Sequence, residues 1–253
     1  MGTLRRSSST LITGFINSQN KKILNQKIIS SFADFHIEQC GFILPASDSQ
    51  SGAIARLEMM GGEFCGNATR SAIALLTNGA STSGLVEVSG TNQLLEWSST
   101  GDIITVQIPL PKSNLVKVVK DGVLVSLDGI THLVIQSQVD PPTGDELTAL
   151  ADTLMQKYSL KDELAAGISW YNITTNQASF RVYVKAVDTL FDETACGSGT
   201  CSIGIAIAHS RGVDTAQMDI IQPSGQSIAF SYKGGKAYIT GSVSKLYDGE
   251  MKL

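Results

Sequence analysis

Hydrophobic and polar positions change period several times along the chain, and the changes mark out its elements. Gln39-Cys40-Gly41-Phe42-Ile43-Leu44 is a short apolar run that predicts a strand with Cys40 packed inside. Val86-Glu87-Val88-Ser89-Gly90 followed by Leu94-Leu95-Glu96-Trp97 reads as a strand, a glycine turn and a returning strand. After Gly101, Ile103–Ile108 supplies a third. The same triple recurs near the end: Met218–Gln222 before Pro223-Ser224-Gly225, then Ile228–Phe230, then Ala237–Thr240 after Gly234-Gly235. Apolar residues at helical spacing predict helices over Gln19–Phe35, with Ser18 or Asn20 as N-cap, and over Asp145–Tyr158, where Leu147, Leu150 and Leu154 share a face. Two further helices are predicted where small apolar residues crowd together, at Ala72-Ile73-Ala74-Leu75-Leu76 and at Ile203-Gly204-Ile205-Ala206-Ile207-Ala208.

These last two helices open alike. Cys65-Gly66-Asn67-Ala68-Thr69-Arg70-Ser71 and Cys196-Gly197-Ser198-Gly199-Thr200-Cys201-Ser202 share Cys, Gly, Thr and Ser at equal offsets. A chance match of common small residues explains the motif alone, but not the strand triple that follows each copy. The expected architecture is therefore α+β, two pseudosymmetric domains, each a mainly antiparallel sheet wrapped around a central helix headed by Cys-Gly. The expected division is 1–115, carrying Cys65, and 116–253, carrying Cys196, with Ser113–Val123 as the link and the last strand free to return to the first half.

Composition narrows the classes of function. With 42% hydrophobic and 17% charged residues in 253, the chain is long enough to bury a sizeable core. A net charge of −4 without a basic run argues against nucleic acid as a partner. No apolar run reaches the length of a membrane span, and the basic start from Met1 to Thr10 lacks the apolar core of a signal segment. The expectation is a cytoplasmic protein with no membrane partner.

The four cysteines, Cys40, Cys65, Cys196 and Cys201, form no C-x-x-C pair, and His36, His132 and His209 stand at no zinc spacing from them. No metal and no cofactor is expected. Free cysteine is most often plain packing, and Cys40 and Cys201 are read that way, as the three histidines are read as structural. Cys65 and Cys196 differ because each heads a helix. The first backbone N–H groups of a helix lack intrahelical acceptors and carry partial positive charge. That setting favours a thiolate, and the same N–H groups can hold a carboxylate. Two such thiols facing one cavity would form a two-base device: one removes the α-proton of an amino acid, the other returns a proton to the opposite face, and both helix ends meet the charge on the carboxylate.

The motifs Glu63-Phe64-Cys65-Gly66-Asn67-Ala68-Thr69-Arg70 and Thr194-Ala195-Cys196-Gly197-Ser198-Gly199-Thr200, with the ending Tyr238–Val243 and Tyr247-Asp248-Gly249, resemble those of the diaminopimelate epimerase-like superfamily of cofactor-independent amino-acid racemases and epimerases. The likeness covers nearly the whole chain. It implies the diaminopimelate epimerase-like fold, an isomerase, Cys65 and Cys196 as catalytic bases, and an amino-acid substrate between the halves. Gln39, Gly66, Asn67, Glu193, Gly197 and Ser198 are the substrate-binding positions it suggests. Ser8, in Arg6-Ser7-Ser8-Ser9-Thr10, stands where the family has an Asn that touches substrate, and the first strand reads as short.

Within the superfamily the chain is most similar to the histidine racemase branch. Diaminopimelate epimerases carry a Glu-Arg-Gly run before the second cysteine, where this chain has Asp188–Glu193 with no Arg; their Gly-Asn-Pro-His is Gly129-Ile130-Thr131-His132 here. Proline racemases put His where Asn67 stands. Racemisation of free histidine is the leading expectation, with an imidazole meeting Glu193 or Asp192. Diaminopimelate epimerisation, a non-catalytic amino-acid-binding relative and an isomerase using a carboxylate base are the alternatives. Glu63 and Glu193 are open as substrate-orienting acids, and a homodimer is compatible with the sequence.

Overall fold

A computed structural model describes residues 2–6, 9–14, 39–141, 143–186 and 188–249. The helix expected over Gln19–Phe35 and the position of Ser8 lie outside the described residues. The chain divides into two compact units, Met1–Gln107 with Thr240–Leu253, and Ile108–Ile239.

In the first unit, β1 (Gly2–Arg6) pairs antiparallel with both β2 (Ser9–Gly14) and β17 (Ser244–Gly249). β2 runs parallel to β3 (Gln39–Leu44), which pairs antiparallel with β4 (Ala53–Met59). β4 continues in parallel to β5 (Thr82–Val88), and β6 (Leu95–Thr100) and β7 (Ile103–Ile108) complete an antiparallel meander. The crossover from β4 to β5 is helix α1 (Gly66–Thr77). Every residue of α1 from Gly66 to Ala74 is buried, so the helix has no wet face over two turns. That is why its sequence is built from Ala, Ser, Thr and Gly, side chains small enough to let strands approach.

In the second unit, β8 (Val116–Val119) and β9 (Gly122–Leu127) form a hairpin, and β9 pairs antiparallel with β10 (Ile130–Ser137). Ser113–Val123, expected as a connecting segment, therefore contains a strand. β10 is parallel to β11 (Ala165–Asn172), which pairs antiparallel with β12 (Gln177–Val184), and β12 with β13 (Thr189–Glu193). Helix α2 (Gly144–Lys157) makes the crossover from β10 to β11. It seats Leu147, Ala151, Leu154 and Met155 on Leu133, Ile168, Trp170 and Tyr183. Leu150, expected on that face, is instead 37% exposed, because its direction on the helix falls outside the stripe set by 147, 151, 154 and 155.

Helix α3 (Gly197–Arg211) leads from β13 to β14 (Thr215–Ile221), which pairs with β15 (Ser227–Lys233) ahead of β16 (Lys236–Ser242). Twelve consecutive residues of α3, Gly197–Ala208, are buried. The helix passes so close to the sheet that a methyl group on Gly204 would lie 2.1 Å from the Phe230 ring. Gly212, left-handed at φ 63°, closes α3, with His209 and Arg211 in its last turn where cations suit the dipole. The fold is thus mixed α+β with a large, mostly antiparallel sheet, and among the described residues α1 and α3 are largely buried and each follows a cysteine.

Candidate active site

The two cysteines occupy the same local conformation. Cys65 is the N-cap of α1 at φ −134°, ψ 109°, and Cys196 is the N-cap of α3 at φ −131°, ψ 110°. Each sulfur accepts from the N–H three residues on, Ala68 at 3.4 Å and Gly199 at 3.3 Å. In each helix the threonine four residues on, Thr69 or Thr200, returns its hydroxyl to the cysteine carbonyl at 2.8 and 2.7 Å. The repeat read from sequence is therefore also a repeat of capping geometry: a sulfur stands where Ser or Asp commonly caps, in the field of the first-turn N–H groups.

A turn distant in sequence holds each cysteine in place. Ser89, after β5, accepts from Met59 N at 3.0 Å and donates to Glu63 O at 2.7 Å. Gly90 lies so close behind that a Cβ there would come within 2.4 Å of Phe64 N. After β14, Gln222 Oε1 accepts from Cys196 N at 3.0 Å, its Nε2 donates to Thr200 Oγ1 at 3.0 Å, and Ser224 N donates to Thr194 O at 2.9 Å. In the sequence, Ser89-Gly90 and Gln222–Gly225 read only as strand ends running into glycine turns. Their equal placement in the two repeats was the available signal that they serve the cysteines.

The surroundings of the two sulfurs then diverge. Cys65, half-buried, donates to Gln39 Oε1 at 3.0 Å, so Gln39 touches the thiol itself. Asn67 is buried and its amide oxygen accepts from Arg70 Nη2 at 2.7 Å. Arg70 is wholly buried, which lowers its pKa to about 10, a value that still leaves it charged at neutral pH. Glu63, also buried, has its carboxyl pushed up by desolvation.

Cys196 sits 3.5 Å from Ser198 Oγ, which lies 2.9 Å from His132 Nε2; His132 Nδ1 reaches Ser169 Oγ at 3.0 Å. The absence of a side chain on Gly167 makes room for that imidazole, since a Cβ there would stand 2.2 Å from Nδ1. Burial drives the His132 pKa down to about 3, so the ring is neutral at neutral pH. His132 is structural in the sense expected, but it is bonded to a residue of the cysteine site. Cys40 and Cys201 are fully buried, with thiol pKa values raised by desolvation, Cys40 to about 12.

Across the β12–β13 ladder Glu193 stands opposite Phe180, and Asp192 opposite Arg181. Phe180 packs on Gly199 of α3, so Glu193, buried, shares the face of Cys196. Asp192 faces the other way and pairs with the buried Arg181 in a recess of about 420 Å³ lined also by Asp140 and Leu147. Of the two acids expected to meet a substrate side chain, alternation along β13 puts only Glu193 on the cysteine face. Neither cysteine lines that recess. Among the described residues, no three His, Cys, Asp or Glu side chains converge as metal ligands, and no helix is long and apolar enough to cross a membrane.

The family described as the histidine racemase CntK N-terminal domain matches residues 7–249. The chain belongs to this family. Its members' fold and class follow: it is an isomerase of the amino-acid racemase type. Two proteins of Fusobacterium nucleatum strains, each named histidine racemase, are 27% and 29% identical to it over 96% of this chain and 92% and 91% of their own. A histidine racemase of Staphylococcus aureus is 25% identical over 84% of this chain and 82% of its own. Among solved structures, a phenazine biosynthesis PhzF family protein of Enterococcus faecalis has the same fold, with a TM-score of 0.62 at 12% identity over 100% of this chain and 98% of that one. A predicted epimerase of Pseudomonas aeruginosa has a TM-score of 0.62 at 12% identity over 99% and 98%.

Proposed function

We propose that this family member racemises free histidine, with Cys65 and Cys196 as its two bases. The observation that carries the reading is the shared cap: two sulfurs at helix N-termini with the same backbone angles and the same bond to the third N–H of the helix. In the proposed reaction one sulfur, as thiolate, takes the α-proton and the other, as thiol, delivers its own to the opposite face of the α-carbon. The negative charge that develops on the carboxylate is met by the first-turn amides at Gly66-Asn67 and Gly197-Ser198. Neither a metal nor pyridoxal phosphate takes part.

Histidine is favoured over diaminopimelate by the charge inventory. Glu193 offers a carboxyl to an imidazole, whereas the distal carboxylate of diaminopimelate would need a cation. Arg181 is turned to the opposite face of β13 and paired with Asp192, and Arg70 is sealed beneath Asn67. An unpaired buried charge costs several kcal/mol, roughly a hundredfold or more in discrimination. The relatives named histidine racemase support the same choice.

The test is racemisation in deuterated water. Deuterium is expected at the α-carbon of L-histidine, with kcat/KM at least a hundredfold above that for LL-diaminopimelate. Cys65→Ser and Cys196→Ser are each expected to abolish inversion, because an alkoxide forms far less readily than a thiolate. A ratio favouring diaminopimelate overturns the substrate. Near-normal turnover by either serine variant overturns the two-thiol chemistry.

A further inference from the structure

The head of α3 follows half of a common capping pattern and takes the other half from elsewhere. In a capping box the N-cap side chain accepts the N–H three residues on, and a Glu or Gln at that third position reaches back to the N-cap N–H. Cys196 makes the first half, its sulfur accepting from Gly199 N at 3.3 Å. Gly199 has no side chain to make the second half, and a Cβ there would stand 2.5 Å from the Phe180 ring. The second half comes instead from Gln222, 26 residues after the cysteine in the turn that follows β14, whose Oε1 accepts from Cys196 N at 3.0 Å.

The same amide reaches further into the helix head. Gln222 Nε2 donates to Thr200 Oγ1 at 3.0 Å and to Ile220 O at 3.0 Å. Thr200 donates its hydroxyl to Cys196 O at 2.7 Å and its N–H to the same carbonyl at 2.9 Å. A ring of hydrogen bonds therefore runs from Cys196 N–H through the Gln222 amide and the Thr200 hydroxyl back to the Cys196 carbonyl. Every bond in it has a fixed direction. Cys196 N–H can only donate and the Ile220 carbonyl can only accept, so the Gln222 amide has one orientation, and Thr200, accepting from Nε2, gives its own proton to Cys196 O. Gln222 and Thr200 are buried, so opening the ring would strand polar groups away from water. The turn that carries Gln222 is itself tied down: Gln222 N donates to Gln226 O at 2.8 Å, and Gly225 N donates to Gln222 O at 2.8 Å.

We infer that Gln222 is a positioning residue for the reaction, completing the Cys196 cap from a distant turn so that the sulfur and the Gly197-Ser198 amides keep one geometry while a proton moves. The inference rests on the two-thiol reading. Gln222 acts through the Cys196 main chain, which the ring clamps at both its N–H and its C=O, and that main chain sets the aim of the sulfur. A reacting group displaced by about 1 Å can lose about a hundredfold in rate, so a loosened clamp lowers turnover before it lowers affinity.

The experiment joins two measurements on Gln222→Met, which keeps the length of the side chain and removes both polar atoms. Amide hydrogen exchange followed by NMR is expected to quicken at Cys196 and Gly199 by about tenfold or more and to stay unchanged at Cys65 and Ala68. For histidine racemisation, kcat is expected to fall by about tenfold or more with KM held within about threefold. In deuterated water the ratio of α-exchange to inversion is expected to rise for one enantiomer of histidine and not for the other. With Cys196 out of line, the enantiomer whose α-proton Cys65 removes can exchange it and be reprotonated on the same face; the mirror enantiomer needs Cys196 for its first step. A defect spread through the protein would move both enantiomers alike. Thr200→Val, which cuts the ring at its other member, is expected to act as Gln222→Met does, and Thr200→Ser, which keeps the hydroxyl, to restore the wild-type values. The Thr200 pair decides should Gln222→Met not fold. Unmoved exchange at Cys196 in a folded Gln222→Met protein overturns the inference, as does quickened exchange with wild-type kcat and exchange ratio. A protein that racemises no amino acid, yet whose Cys196 amide is loosened by Gln222→Met, would sink the function and leave the clamp standing; racemisation with an unmoved amide would do the reverse.

Discussion

At the scale of single residues, burial separates the four cysteines into two kinds. Cys40 and Cys201 are sealed and kept as thiols, whereas Cys65 and Cys196 accept helix N–H groups. Replacing Cys40 or Cys201 with Ala is expected to leave turnover within a few-fold of wild type and to lower stability by about 1 kcal/mol through lost packing; a racemisation assay beside urea unfolding checks both. His132 carries a second consequence. Its folded pKa of about 3 lies below the ordinary 6.5, so between these values the unfolded chain binds a proton that the native protein refuses. Stability from this group is complete above about pH 6.5 and falls as pH drops through the window, by up to about 1.4 kcal/mol per unit. Urea midpoints measured from pH 7.5 to 4 should fall less steeply in His132→Gln than in the wild type, and parallel curves would assign the acid sensitivity elsewhere.

At the scale of elements, the two capped helices tolerate change differently. Ala68 and Gly199 are matched positions whose N–H groups meet the two sulfurs. α1 has room for the Ala68 methyl group, buried as it is. α3 does not: a Cβ on Gly199 would stand 2.5 Å from the Phe180 ring and 3.0 Å from Ser169 Oγ. Gly199→Ala is therefore expected to push the head of α3 off β12, costing about 1–3 kcal/mol and lowering kcat by tenfold or more as Cys196 moves. Ala68→Gly should cost about 1–2 kcal/mol, from a more flexible helix and a lost buried methyl group, and leave the helix head in place. Comparing chemical denaturation and kcat for the pair tests this; equal effects would mean that the Phe180 contact does not position the helix.

At the scale of the whole molecule, the proposed chemistry rests on the cap geometry that Cys65 and Cys196 share and calls on no bound group. Racemisation is accordingly expected to persist after dialysis against EDTA and after treatment with hydroxylamine, which traps pyridoxal aldimines. Activity lost to chelation and restored by a divalent metal would contradict the proposed mechanism. Binding of histidine should raise the melting temperature, in line with linkage to the native state.

The sequence by itself determined the repeat, and through it most of what matters for chemistry. The small apolar residues after each Cys-Gly fit a helix that packs closely on its neighbours, and the strand triples after each copy obey short-range rules of alternation and glycine turns. Helix α2 was legible for the same local reason, within a residue of each end. What the tertiary structure decided was every relation between residues distant in the chain. It decided through the register with β12 which of Asp192 and Glu193 faces α3, and turned Ser113–Val123 from a link into part of a hairpin. It also brought Ser89 to Glu63, Gln222 to Cys196, and His132 to Ser198, and it buried Arg70 with its guanidinium on Asn67. Local pattern reports which side of an element is apolar; only the packing of strands remote in sequence fixes which polar group that side meets, because burial and hydrogen bonding are settled jointly by all the elements that close over it.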